Sequence, residues 1–260
     1  MTKLIIFDLD GVLVEAKEIH YKTLNKALAE VDKKYMITEK EHLSTYDGLK
    51  TNQKLEMLTK NKGLNPIHYE QIWSRKQDLT IDAISELKPN AHLILVFKRL
   101  RDMGYKLACC SNSIRRSVLV MLSKIGLIEY KDLIISNEDV KNSKPHPEMY
   151  WKAMSMMSVL PDECLIVEDS PHGLLAASRS RANVLRVDNP SDLTFDKIQN
   201  KNREKEIIGD EWKKVSRRLD LVLFVIHGSI MIIMPTVMFG KFYFMNQSLL
   251  NHQELCHCET

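Results

Sequence analysis

The sequence LIIFDLDGVL at residues 4–13 places an apolar run directly before two aspartates, Asp8 and Asp10. Such a run predicts a strand buried on both faces, and the carboxyl end of a parallel strand is where α/β sheets bind ligands. Two carboxylates this close repel each other unless a cation or a reacting group offsets their charge. A solvated turn is the alternative for this segment taken alone. A calcium-binding loop is excluded, because the alternate positions after Asp10 lack its oxygen ligands.

The composition of the chain excludes several classes of protein. With 260 residues the chain has room for one large or two modest domains, and its formal net charge of +3, with mixed signs, predicts no bulk nucleic-acid partner. Its five cysteines are too few and too unevenly spaced for a disulfide scaffold. The first strand follows Met-Thr-Lys at once, so we expect no signal peptide and a reducing, cytoplasmic location.

Apolar runs alternate with helical periods in the second part of the chain. We predict strands at 105–110, 133–135, 164–167 and 183–187, with helices at 116–125, 148–157 and 173–179. Between residues 14 and 105 the periods are helical only, at 16–31 and 39–87. The alternation predicts an α/β fold, in which a Rossmann-like, three-layer parallel sheet core carries an α-helical cap inserted after the first strand.

These patterns divide the chain into three parts. The core is expected at residues 1–15 and 88–195, and the helical cap at residues 16–87. Residues 196–260 form a charged linker and an apolar tail whose structure the sequence leaves open.

Polar side chains follow each predicted core strand. Ser111-Asn112-Ser113 follows the second strand, Lys144 comes after the third, and Glu168-Asp169 follows the fourth. Because parallel strands end at one edge of the sheet, these residues and the aspartate pair converge on a single crevice. Hard carboxylate oxygens suit Mg²⁺, while a hydroxyl and an ammonium suit a phosphate. The set therefore indicates a site for a magnesium-bound phosphoryl group.

Each of these residues also has a structural interpretation when taken alone. Ser111 could be a helix N-cap, Lys144 an exposed loop lysine, and Glu168-Asp169 the capping acids of a helix start. Their joint occurrence, in order and each at a strand end, favours the functional interpretation.

Four ordered motifs, FDLDGVLV, CCSNS, SKPHPEMY and VEDSPHG, give the chain a resemblance to a known family. Over about residues 3 to 195 it resembles the haloacid dehalogenase superfamily, in the branch that includes β-phosphoglucomutase and phosphoglycolate phosphatase. The resemblance implies a Mg²⁺-dependent phosphohydrolase that cleaves a small phosphorylated metabolite, such as a sugar phosphate or phosphoglycolate, through an aspartyl-phosphate.

The resemblance also implies a role for each motif residue. Asp8 would be the nucleophile and Asp10 the general acid and base, and both would belong to the metal site with Asp169 and Glu168. Ser111, Asn112 and Lys144 would bind the phosphate. Acid–base work requires that Asp10 be partly protonated, a state that we expect neighbouring carboxylates to favour. The dehalogenases of the superfamily lack an acid at the position of Asp10, so its presence favours phosphate over halide chemistry.

In this family the cap determines which substrate is bound, and the cap sequence indicates less about function than the core motifs do. His20 and Lys50 are expected to face the site when the cap closes over it. The mutases of this branch hold a second phosphate with an arginine near Thr51, and this chain has none there. Arg115 could supply a replacement charge, or it could be a solvated residue at a helix start. A phosphatase is therefore the main prediction, a β-phosphoglucomutase-type mutase is the alternative, and a non-catalytic regulatory protein of the same fold is a third.

The tail departs from the family pattern. Residues 196–218 hold eight basic and five acidic residues and indicate a helix or linker. Residues 221–240 carry no formal charge, and a helix of that length spans about 30 Å, enough for a single membrane anchor. The alternatives are a last strand at 220–225 followed by a disordered tail, and non-native sequence. Arg181 stands where relatives commonly carry a glycine that ends the helix before the last strand. The sequence leaves the oligomeric state open.

Overall fold

The computed structural model describes residues 2–226, and its contacts divide the chain into one unit at residues 1–206 and another that begins at Ile207. The first unit contains a five-stranded sheet in the order β3-β2-β1-β4-β5. All neighbouring strands are parallel. The strands are β1 (Leu4–Phe7), β2 (Lys106–Cys110), β3 (Leu133–Ile135), β4 (Cys164–Glu168) and β5 (Asn183–Arg186).

Side chains of the three central strands alternate between two hydrophobic clusters, one on each face of the sheet. In β1, Ile5 and Phe7 enter one cluster, whereas Leu4 and Ile6 enter the other. Because both faces are covered, the central strands are continuous apolar runs, and each run ends at the polar residues of the site.

Helices form the two outer layers of this core. One layer contains α5 (Ala91–Asp102), α6 (Arg115–Lys124) and the first turns of α9 (Phe195–Ile226). The other contains α7 (Glu148–Met156) and α8 (Pro171–Arg179). The predicted three-layer α/β core is confirmed.

The chain between β1 and α5 is helical and has a hydrophobic cluster of its own. It contains α1 (Lys17–Ala29), α2 (Glu39–Glu41), α3 (Thr51–Lys62) and α4 (Tyr69–Ser85), with a π-helical turn at His42–Tyr46 after α2. Gly63 ends α3 with a φ of 69°, a left-handed value that a glycine adopts without strain.

The predicted strands and helices of the core agree with these bounds to within two residues, but α5 was not predicted. Its sequence AHLILVFKRLRD contains an unbroken apolar stretch, so the helical period is hidden. The structure contradicts one of the three interpretations of the tail. Residues 220–225, considered as a last strand, lie in α9, and the residues before them in this helix are rich in good helix formers.

Among residues 2–226, no helix has both the length and the apolar character that a bilayer span requires. Most of the membrane-anchor hypothesis concerns residues 227–240, which lie outside the described residues.

Arg181 has a φ of 65°, the left-handed conformation expected where a glycine is usual. We expect Arg181→Gly to raise the free energy of unfolding by about 0.5–1 kcal/mol in urea titrations, because glycine adopts this conformation without strain. The control is Arg186→Gly, an exposed arginine in β5 with ordinary backbone, which should lower stability. A loss of stability in Arg181→Gly would contradict the strain argument.

His42 is buried with 1% exposure, and its Nε2 atom lies 3.9 Å from Asp47 Oδ1. Burial, with a further contribution from Lys54, lowers the pKa of His42 to about 4. An unfolded histidine titrates near 6.5, so between these values the unfolded chain binds the extra proton. His42 therefore costs no stability above about pH 6.5, and up to about 3 kcal/mol is lost as the pH falls towards 4.

We expect His42→Leu to lose less unfolding free energy than the wild type between pH 7 and pH 4.5, measured by urea titration at both pH values. The exposed His146 provides the control, because His146→Leu removes an imidazole that is not buried in the folded protein. An unchanged pH dependence in His42→Leu would show that this ring does not titrate on unfolding.

Candidate active site

The carboxyl ends of the central strands bring the predicted acidic residues together with Lys144. Asp8 directly follows β1, Glu168 is the last residue of β4, and Asp169 follows it. All three are buried, with residue exposures of 6%, 0% and 7%. Lys144, from the loop after β3, is 3% exposed. The structural interpretation of Lys144 as an exposed loop lysine is therefore wrong.

The ammonium of Lys144 donates three hydrogen bonds. Its acceptors are Asp8 Oδ1 at 2.6 Å, Glu168 Oε1 at 2.5 Å and the carbonyl oxygen of Cys110 at 2.9 Å. Burial disfavours the charge of Lys144, but Asp8 and Glu168 outweigh this effect and raise its pKa well above the usual value. Lys144 therefore stays a cation beside the predicted nucleophile.

Both oxygens of Glu168 are engaged within the protein. Oε1 also accepts a hydrogen bond from the hydroxyl of Tyr150, and Oε2 accepts from the backbone N–H of Asp169 at 3.2 Å. Gly173 in α8 packs against this carboxylate so closely that a Cβ atom there would lie 2.1–2.2 Å from it. Ser170, rather than Glu168 or Asp169, caps α8, because its hydroxyl accepts from the N–H of Gly173. The geometry assigns Glu168 to holding Lys144.

Asp8, Glu168 and Asp169 can each place one carboxylate oxygen within 4.8 Å of the others. Burial, with added repulsion from Glu168, raises the pKa of Asp169 to about 6 against the opposing effect of Lys17, whose ammonium lies 2.7 Å from Oδ2. Burial and the neighbouring carboxylates also raise the pKa of Asp8 against the pull of Lys144. A hard divalent cation would offset the electrostatic cost of ionising Asp8 and Asp169, so these two residues fit Mg²⁺.

Asp10 faces the helices α1 and α4. Its Oδ1 lies 3.0 Å from His20 Nε2, and its Oδ2 accepts hydrogen bonds from the hydroxyls of Ser113 at 2.9 Å and Ser111 at 3.2 Å. On the far side of the ring, His20 Nδ1 lies 3.3 Å from Lys76 Nζ. An ammonium can only donate, so this contact favours the tautomer in which Nε2–H donates to Asp10.

The protonation expected for Asp10 is wrong in this structure. Burial by itself would raise the pKa of Asp10, but His20 and the Ser113 hydroxyl stabilise the ionised form and lower the pKa to about 2. The Asp10 carboxylate faces hydrogen-bond donors and lies outside the cluster of Asp8, Glu168 and Asp169. The donors therefore determine its pKa more than the neighbouring carboxylates do.

The Ser-Asn-Ser segment after β2 connects the parts of the site. Ser111 is fully buried, donates to Asp10 and accepts from the N–H of Ser113. It does not cap α6, because Ile114 occupies that position. The Asn112 amide donates to the carbonyl of Gly48 at 2.7 Å and accepts from the N–H of Lys144 at 3.1 Å. Asn112 thereby links the loop before α3 to the loop that carries Lys144.

A cavity of about 540 Å³ opens over Asp8 and Asp10, a size suited to a small ligand. His20, Lys50 and Asn112 line it, as expected of site residues, and the Lys50 ammonium lies 3.4 Å from the carbonyl of Asn137. Arg115 is not among the lining residues. Its guanidinium instead donates to Asp139 at 2.6 Å and is partly exposed, which corrects its assignment as a substrate-binding charge.

Sequence reasoning missed several residues of this site. Ser113 was placed at the site with the segment after β2 but was given no role of its own, and Tyr150 could have been found as the last residue of SKPHPEMY. Lys17 and Lys54 each share a helix with two other lysines, and Lys76 directly follows Arg75 on α4, so no sequence signal distinguishes them as site residues.

The family model for haloacid dehalogenase-like hydrolases matches residues 5–187. Pyrophosphatase PpaX of Bacillus cereus is 26% identical over 191 residues, which cover 70% of this chain and 82% of that protein. A phosphorylated carbohydrates phosphatase of Thermotoga maritima is 27% identical over 174 residues, covering 66% and 79%.

Solved structures show the same fold. The crystal structure of β-phosphoglucomutase from Clostridium difficile has a TM-score of 0.70 to this chain at 23% identity, and the match covers 80% of this chain and all of that one. At this identity the likeness concerns the fold.

The close contact between Gly173 and Glu168 can be tested by substitution. We expect Gly173→Ala to lower the free energy of unfolding by about 1–3 kcal/mol, because the added methyl group must displace a buried, hydrogen-bonded carboxylate. Urea titration measures the change. Gly209→Ala in α9 is the matched control, since no atom lies within 4 Å of its added Cβ and alanine favours a helix. Equal stability of the two variants would contradict the packing argument.

Proposed function

The chain belongs to the haloacid dehalogenase-like hydrolase family and is a hydrolase of the phosphatase type, and from this premise we propose that it is a Mg²⁺-dependent phosphomonoesterase. We propose that it cleaves a small phosphorylated metabolite through an aspartyl-phosphate on Asp8. The observation that carries the proposal is the contact of Lys144 with Asp8 beside the buried acidic cluster, at the base of the cavity.

Lys144 allows one anion to attack another. Asp8 must approach a phosphate that repels it, and the adjacent ammonium offsets part of that repulsion in a buried site where charges interact strongly. Asp8 and Asp169 would hold the Mg²⁺, which when bound supplies further charge compensation for the phosphoryl group. Glu168 fixes Lys144 in place from the other side.

Asp10 would act as the general acid and then the general base in the two half-reactions. It would protonate the leaving alkoxide and later take a proton from the attacking water. The pKa of about 2 describes Asp10 while His20 and Ser113 donate to it. A phosphoryl anion nearby raises this pKa by charge repulsion, as would the loss of the His20 contact. We therefore propose that substrate binding makes Asp10 competent as an acid.

The cap would select the substrate. We propose that residues 16–87 form the cap and that residues 1–15 and 88–195 form the catalytic core. The cavity contains side chains from both parts, including His20 and Lys50 on one side and Asp8 and Asn112 on the other. The names of the relatives, which include a phosphatase of phosphorylated carbohydrates, support a phosphorylated metabolite as substrate.

The same residues weigh against a non-catalytic protein, and Arg115 does not supply the cation that a mutase would need. A non-catalytic protein predicts loss of the nucleophile, the acid or a metal ligand, and this chain keeps all three types. A mutase needs a cationic group for the second phosphate of a bisphosphate intermediate. Arg115, considered for this task, is paired with Asp139 instead.

The proposal is tested by a screen for phosphate release over small phosphate esters with Mg²⁺. We expect the wild type to release phosphate, chelation of the metal to stop it, and Asp8→Asn to reduce kcat by at least about a thousandfold, because the amide cannot form the acyl phosphate. Asp102→Asn on α5, an exposed aspartate, is the control and should keep wild-type activity.

Two results would count against the proposal. Equal phosphate release by wild type and Asp8→Asn would show that Asp8 is not the nucleophile. Interconversion of sugar-phosphate isomers after priming with a bisphosphate, with little free phosphate, would assign a mutase.

A further inference from the structure

Lys54 in α3 is a buried cation that the proposed mechanism does not use. The residue is 7% exposed and lines the same cavity as Asp8 and Asp10. Lys144, by contrast, is balanced by two carboxylates. Among residues 2–226 no acceptor lies within hydrogen-bonding distance of the Lys54 ammonium, and no carboxylate forms an ion pair with it.

The surroundings of Lys54 increase the cost of its charge. Lys76, also lining the cavity, is 8% exposed and makes its contact with His20 Nδ1, which is not an anion. Burial lowers the pKa of Lys54 to about 8, and burial together with repulsion from Lys54 lowers that of Lys76 to about 7. Asp47 and Asp10 act on Lys54 only from beyond ion-pairing distance. Two buried cations without a bonded anion are electrostatically unfavourable unless a ligand supplies one.

Lys144 reaches the cavity from the loop after β3, whereas Lys54 reaches it from α3. The carboxylates that act on Lys54 are Asp47 and Asp10, whereas Lys144 contacts Asp8 and Glu168. The two lysines thus lie at different places along the wall of one cavity.

We propose that Lys54 binds a second anionic group of the substrate, a carboxylate or a second phosphate, while the first phosphate lies at Asp8 and Lys144. This inference rests on the proposed function and narrows the substrate class to phosphate esters with two anionic groups. Lys76 supports the subsite electrostatically, and Lys54 determines the specificity.

Paired probes test this assignment. 2-Phosphoglycolate is compared with 2-hydroxyethyl phosphate, which lacks the carboxylate, and fructose 1,6-bisphosphate with fructose 6-phosphate, which lacks one phosphate. Binding is measured calorimetrically with Mg²⁺ in the Asp8→Asn background, where turnover is blocked, for the protein with Lys54 and for Lys54→Met. Lys60→Met, an exposed lysine of the same helix, is the matched control.

We expect the Lys54 protein to bind the doubly anionic member of at least one pair at least tenfold more tightly, and the responding pair identifies the second anion. Lys54→Met should raise the Kd for that member at least about tenfold and change the Kd for its partner less than twofold, since loss of one partner of a buried ion pair weakens binding by this much or more. Lys60→Met should change neither. The inference is overturned if neither pair shows a preference, or if the preference survives Lys54→Met.

A structural role for Lys54 is distinguished by thermal unfolding without ligand. Removal of an unpaired buried charge should leave Tm unchanged or raise it, whereas loss of a structural contact would lower it and overturn the inference. Lys54→Gln provides a second, polar replacement with the same expected loss of preference.

The subsite and the proposed function can fail separately. A Lys54-dependent preference in binding without phosphate release from any ester would reject the phosphatase and retain the subsite.

Discussion

The hydrogen bonds of the Lys144 ammonium to Asp8 and Glu168 are the constraint on which the rest of the structure depends. They join three charged side chains that the fold buries almost completely, and each would be costly without the others. Two neighbouring residues stabilise or accommodate this contact. Tyr150 donates to Glu168 from α7, and Gly173 leaves room for the carboxylate at the start of α8. Helices on one face of the sheet are therefore positioned by the electrostatics of the site as well as by apolar packing.

The parallel sheet explains why so much of this site could be predicted from the sequence. Each central strand is a buried apolar run, so its end is visible in the sequence, and parallel pairing brings those ends to one edge. Asp8, Lys144 and Glu168 could thus be grouped without knowing any side-chain contact. The strand order was not needed for this grouping, because every order of parallel strands leaves the carboxyl ends on the same edge.

The partners of Asp10 could not be predicted in the same way. His20 and Lys76 lie on α1 and α4, and their approach to Asp10 depends on how helices pack over the sheet, which local periodicity does not encode. The expected raised pKa of Asp10 was wrong for this reason. Lys54 shows a related limit. It lies on the buried side of α3 with Leu55 and Leu58, where a lysine in the sequence is most simply interpreted as part of the polar face.

The cavity therefore has two electrostatic characters. Around Asp8, three buried carboxylates lie close together and Lys144 pairs with two of them, an arrangement that favours a divalent cation and, through it, a phosphate. Around Lys54 and Lys76 the cations lack bonded carboxylates, which favours an anion directly. A monoester with one phosphate and an otherwise neutral body would satisfy only the first part. A ligand with two anionic groups relieves the unfavourable charge in both parts, so the charge distribution of the cavity itself distinguishes between substrates that the family motifs leave equal.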